Sequence, residues 1–152
     1  MADTHAKRAT SSLKDMTTIT ETQWQALESA ARTASANAYC RYSNFRVGAT
    51  TLSSTGAMAS GCNVENASYG LTICAERNAV FSAISNGATE IIALALYTPT
   101  TEPVTPCGAC RQVIAEFGAV ARIRAYCDGP EVAEFTMQAL LPAAFAIERK
   151  PT

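Results

Sequence analysis

Histidine is almost absent from the chain. The one histidine in 152 residues, His5, lies in a polar stretch near the N-terminus. It is a poor candidate for a metal ligand or a general base, so proton transfer falls to a carboxylate. Charge is also scarce. Asp, Glu, Lys and Arg make up 16% of residues, against about 25% in an average soluble domain. Twelve basic residues face 13 acidic ones, for a formal net charge of −1, and no basic surplus or stripe is visible. That pattern speaks against a nucleic-acid partner and suits a small neutral or weakly charged substrate. Low charge fits surface buried between subunits, and it fits an alanine-rich genome equally well.

No run approaches 18 consecutive apolar residues, so no membrane-spanning helix is expected. The N-terminal stretch lacks the apolar h-region of a secretory signal. Residues 1–19 are rich in Thr, Ser and Ala, with Lys7, Arg8 and Lys14, and read as a disordered tail. Residues 20–150 contain no linker and no internal repeat and read as one domain, long enough to bury a core without disulfide staples. Six cysteines without a secretory signal imply metal binding or reactive thiols in a reducing compartment, with the cytoplasm as the default.

Hydrophobic spacing predicts a helix from about Thr22 to Tyr39, with Thr22 and Gln25 as its capping box. Its inward side would carry Trp24, Leu27, Ala31, Ala34 and Ala38. Alternation at Phe45, Val47 and Ala49, a turn at Ser54-Thr55-Gly56 and a strand from Ala57 to Val64 predict a hairpin. A helix from Cys74 to Asn86 is closed by Gly87. The apolar run from Ile91 to Leu96 reads as a strand covered on both faces. A second helix, from Cys107 to Phe117, ends at Gly118. A strand from Arg122 to Cys127 and a short helix capped by Thr136 complete the pattern. Strands alternating with helices imply a three-layer α/β/α sandwich around a mixed sheet of about five strands.

The chemistry concentrates in Cys74-Ala75-Glu76 and, 31 residues after Glu76, Cys107-Gly108-Ala109-Cys110. Three cysteines at two helix starts can converge on one Zn²⁺ while helix dipoles favour their thiolates. A zinc with three protein ligands keeps a fourth position for water and makes it a nucleophile near neutral pH. Three thiolates leave the centre with a net charge of −1. Arg77 and Arg111, each directly after a ligand motif, are placed to offset it, and Arg77 is expected to hydrogen-bond the sulfurs. Both could instead be ordinary surface charges. A redox Cys-x-x-Cys pair leaves Cys74-Ala75-Glu76 unexplained. A closed structural site with Cys40, Cys62 or Cys127 as fourth ligand leaves Glu76 without a role.

Cys74-Ala75-Glu76 followed by Pro106-Cys107-Gly108-Ala109-Cys110 is the three-cysteine form of the zinc deaminase signature. The chain resembles the small, homotetrameric class of cytidine deaminase over about residues 21–147. Further matches are Tyr42-Ser43-Asn44-Phe45-Arg46-Val47-Gly48-Ala49, Gly61-Cys62-Asn63-Val64-Glu65-Asn66 and Leu140-Leu141-Pro142-Ala143-Ala144-Phe145. Arg41, where the family usually has proline, and Thr50, in place of a common apolar residue, are departures that leave the zinc chemistry alone.

The resemblance implies hydrolysis of cytidine and 2′-deoxycytidine to the corresponding uridines. Cys74, Cys107 and Cys110 would hold zinc, and Glu76 would act as base and acid in turn. It also implies that Asn63 and Glu65 bind the ribose 3′-hydroxyl and that backbone around Ala75 contacts the base. Phe45 would pack on base or sugar, while Tyr69 and Phe145 would complete the site across a subunit boundary. Rivals are a deaminase of another cytosine nucleoside such as blasticidin S, a polynucleotide deaminase, and a zinc-stabilised binding module without catalysis. Cys40, Cys62 and Cys127 read as small buried residues.

Overall fold

The computed structural model describes residues 18–147. Most of the expected N-terminal tail, including His5, Lys7, Arg8 and Lys14, lies outside the described residues, as do residues 148–150 of the expected domain. Helix α1 spans Glu21–Ala36. Strands β1 (Gly48–Ser53) and β2 (Met58–Cys62) form the expected hairpin. A 3₁₀ turn at Tyr69–Leu71 precedes α2 (Ala75–Ser85), β3 (Ile91–Tyr97) and α3 (Gly108–Phe117). The chain continues through β4 (Arg122–Tyr126), β5 (Val132–Thr136) and the short α4 (Met137–Leu140).

The strand order is β2-β1-β3-β4-β5, with β3 and β4 parallel and every other pair antiparallel. A parallel pair needs a long crossover, and α3 supplies it. Alternation along β3 splits the core in two. Ala93, Ala95 and Tyr97 face Trp24, Leu27 and Ala31 of α1. Leu94 and Leu96 face Ala75, Ala79, Val80 and Ile114 of α2 and α3. The sheet is therefore mixed, five-stranded and covered by helices on both sides, as expected.

Several boundaries differ from the sequence reading. The capping box of α1 is Thr20 with Gln23, not Thr22 with Gln25. Thr20 as cap puts Ile19 just before the helix and Trp24 in its first turn, both in the α1-side cluster, so a hydrophobic staple selects this register. Ser35, not Ala34, completes the buried stripe of α1. The helix stops at Ala36 because Tyr39 pairs with the loop after β2: Tyr39 N donates to Asn63 O at 3.0 Å and Glu65 N to Tyr39 O at 2.8 Å. Val64 lies outside β2 and bridges Tyr39 on one side and Ile73 on the other. Strand β5, which the reading of individual strands did not place, pairs along β4 from Arg122↔Thr136 to Tyr126↔Val132.

Candidate metal centre and cleft

Both metal-ligand motifs sit where α2 and α3 begin. Cys74 is the N-cap residue of α2 and Cys107 that of α3; neither side chain makes a capping hydrogen bond. Cys110 lies one turn into α3 and is fully buried. The Cys74 and Cys107 sulfurs are 3.9 Å apart and those of Cys107 and Cys110 3.4 Å apart, and all three lie within 4.8 Å of one another. Gly61 lets the start of α2 settle on β2, since a Cβ there would lie 2.5 Å from Ala79 N and 2.8 Å from Ala75 O.

The electrostatics prepare a thiolate. Hydrogen bonding from Cys110 lowers the Cys74 thiol to about 5, with Arg77 and Cys107 adding to the effect against the opposing pull of burial. Cys110 moves the other way, because it hydrogen-bonds Cys74 and is buried. The two titrate as a pair in which Cys74 ionises first while Cys110 keeps its own proton. Arg77 Nη2 donates to the Cys74 sulfur at 3.6 Å and to Thr72 O at 3.2 Å.

The donor set fits zinc: three soft sulfurs converge at two helix N-termini. Among the described residues no histidine, carboxylate or fourth cysteine joins the cluster. The closed site with a fourth cysteine, already disfavoured by the sequence, finds no fourth ligand among the described residues. Cys127 instead directs its thiol to the carbonyls of Thr101, Gly129 and Glu131. Cys40 and Cys127 are buried as expected, whereas Cys62 is only partly so.

Glu76 is the second residue of α2, two after Cys74, and is 4% exposed. Burial pushes its carboxyl up to about 7, and the Cys74 thiolate adds to the rise. It lines a cleft of about 420 Å³ together with Cys74, Cys107, Phe45, Asn63 and Glu65. Ala75, the first residue of α2, is fully buried, and its N–H is among those a helix start leaves without an intrahelical partner.

Another part of the cleft lining is built by a tight turn. Asn63 Oδ1 accepts from Val47 N at 2.9 Å, and its Nδ2 donates to Phe45 O at 2.7 Å. These bonds divert Phe45–Val47 from the ladder, which explains why β1 begins only at Gly48. Glu65 Oε2 accepts from Tyr42 N and Ser43 N at 2.8 and 3.2 Å, and Oε1 accepts from the Ser43 hydroxyl. The hydroxyl bond, with burial opposing and the backbone bonds helping, holds the Glu65 carboxyl below its ordinary range.

Tyr69 and Phe145 do not join this cleft within one chain. Tyr69 is 75% exposed and meets the Tyr42 ring edge-on at 5.8 Å, while Phe145 is 71% exposed. Other lining residues escaped the sequence reading: Ser43, Val47, Thr98, Val104 and Thr105 among them. Ser43 lay inside a quoted motif, whereas Thr98 and Thr105 sit at a strand end and in a loop without any pattern to mark them. Arg111 is not a free surface charge. It donates to Pro106 O at 2.8 Å, Leu140 O at 3.1 Å and Thr105 Oγ1 at 3.1 Å, bracing the approach to Cys107.

Fold and site together define an α/β protein with a three-cysteine zinc centre opening into a small-molecule cleft. The sequence model of the cytidine and deoxycytidylate deaminase zinc-binding region matches residues 21–127. The cytidine deaminase of Halalkalibacterium halodurans is 48% identical over 113 residues, covering 73% of this chain and 85% of its own. That of Mycobacterium tuberculosis is 40% identical over 131 residues, 86% of this chain and 96% of its own. The crystal structure of cytidine deaminase from Burkholderia pseudomallei superposes with a TM-score of 0.77 at 43% identity, covering 84% of this chain and all of that one. The chain belongs to the cytidine deaminase family.

Proposed function

We propose that this protein hydrolyses cytidine and 2′-deoxycytidine to uridine and 2′-deoxyuridine, releasing ammonia. The observation that carries this reading is one cleft lined by Cys74, Cys107 and the buried Glu76 together with Phe45, Asn63 and Glu65, with the Cys110 sulfur converging on the other two. Cys74, Cys107 and Cys110 are the zinc ligands. When bound, zinc supplies Lewis acidity and a hydrolytic nucleophile near neutral pH. Glu76 takes one proton from the attacking water and passes it to N3 as the C4–O bond forms, then takes the second from the new C4 hydroxyl and passes it to the amino group as the C4–N bond breaks. A carboxyl near neutrality suits both directions of transfer.

At Asn63 and Glu65, one sugar hydroxyl fits the donors and acceptors that remain. An ionised carboxylate has about four acceptor positions, and the surrounding turn fills three on Glu65. Asn63 keeps one N–H. A 3′-hydroxyl can therefore donate to Glu65 and accept from Asn63. Phe45 lies along the base or sugar, and backbone at Ala75 contacts the base. Exposure of Tyr69 and Phe145 favours a homotetramer in which a neighbouring subunit supplies both rings. Free cysteines favour a reducing compartment such as the cytoplasm, and the reaction itself would serve pyrimidine salvage. No helix among the described residues is long and apolar enough to cross a membrane.

The test is loss of the cytosine absorbance band when zinc-loaded protein is incubated with cytidine. Turnover of blasticidin S without turnover of cytidine would overturn the nucleoside assignment.

A further inference from the structure

Ser43 links two cleft residues that come from different segments. Its hydroxyl oxygen accepts from Phe45 N at 3.0 Å, and its proton goes to Glu65 Oε1. The relay therefore runs Phe45 N–H to Ser43 O–H to the Glu65 carboxylate. It depends on an unusual backbone. Asn44, between Ser43 and Phe45, has φ 55°, a left-handed conformation that asparagine tolerates better than most residues. Asn44 N closes the turn on Cys40 O at 2.8 Å. In consequence Tyr42 N, Ser43 N and the Ser43 hydroxyl all point at one carboxylate, as donors gather around an anion in a backbone nest.

We propose that Ser43 is a positioning residue for sugar recognition: by tying Phe45 to Glu65, its hydroxyl makes the cleft select nucleosides that carry a free 3′-hydroxyl. The inference rests on the deaminase reading above. Ser43 holds Oε1 while Tyr42 N and Ser43 N hold Oε2, so Glu65, which lines the cleft, is fixed through both oxygens with one acceptor position left. Without the hydroxyl, Glu65 keeps only its backbone donors on Oε2, and Oε1 is free to rotate. Phe45 loses the partner of its N–H at the same time. The sugar end loosens while the cysteines and Glu76 stay as they are.

The experiment compares cytidine with 3′-deoxycytidine as substrates of the zinc-loaded full chain and of its Ser43→Ala and Ser43→Thr variants. For Ser43→Ala, KM for cytidine should rise about tenfold, the scale of a hydrogen bond to a charged group, with kcat within about twofold. The preference for cytidine over 3′-deoxycytidine should fall by the same factor. Threonine, which keeps the hydroxyl, should restore it. Unchanged preference in Ser43→Ala would overturn the proposal alone, and equal loss in both variants would trace the effect to the backbone and overturn it too. A wild-type protein inactive on cytidine would instead overturn the deaminase reading, and this inference with it.

Discussion

The Arg77 guanidinium reaches back one turn to the Cys74 sulfur, 3.6 Å away, while its Nε is buried without a hydrogen-bond partner among the described residues. A buried, unpartnered N–H on a cation is costly. Its retention beside three thiolates places the positive charge where a divalent ion alone leaves an excess of negative charge. Arg77→Gln is expected to weaken zinc binding or turnover by about 10- to 100-fold. Chelator competition and steady-state rates check this, and an unchanged protein would remove Arg77 from the centre.

Glu76→Gln keeps the size and burial of the side chain and removes its ability to carry a proton. Turnover should drop by about 10²- to 10⁴-fold with zinc content unchanged. Metal analysis beside the rate separates this outcome from loss of the site.

Zinc removal should lower thermal stability as well as abolish activity, because an ion that binds only the folded chain adds its binding free energy to folding. Melting temperature measured at rising chelator concentration, then after zinc is restored, gives the size and reversibility of the shift.

The Glu65 carboxyl is held below its ordinary value in the folded chain. Above the unfolded value the carboxyl is ionised in both states, and its contribution is fully present. As pH falls through the lower folded value, that contribution disappears. Glu65→Gln should therefore flatten the fall in stability on the acid side of about pH 4.5, the ordinary carboxyl value. Urea midpoints between neutral and acid pH measure it, and an identical acid slope in both proteins would contradict the assignment.

A Cβ at Gly48 would lie 1.9 Å from Ala31 O and 2.7 Å from Ser35 N. Both are backbone atoms of α1, which cannot yield as a flexible side chain would. Gly48→Ala should cost about 3 kcal/mol by overpacking, seen as a lower urea midpoint at neutral pH.

What was legible in the chain was whatever local chemistry could write. The two helix starts at Cys74 and Cys107 follow from their own motifs, and the Ile91–Leu96 run announced a strand buried on both faces. The start of α1 was ambiguous because Thr20-x-x-Gln23 and Thr22-x-x-Gln25 satisfy the same capping rule. Only the packing of Ile19 with Trp24 decides between them. Strand β5 is short, exposed at alternate residues and placed at a sheet edge, so its identity depends on a neighbour that no local window contains. Ser43 acts on Glu65, 22 residues away, and Arg111 in part through Leu140, 29 residues away, so distance in sequence hid these partners although Arg111 itself was marked by its motif.

Cys74 and Cys107 meet across 33 residues of chain, and β3 lies between them. In the unfolded chain only Cys107 and Cys110 are neighbours, so an ion can grip that pair locally but can recruit Cys74 only by closing a long loop, at an entropic cost that β3 and both helices repay once in place. A filled third ligand position therefore reports that β3 and the starts of both helices are in place together.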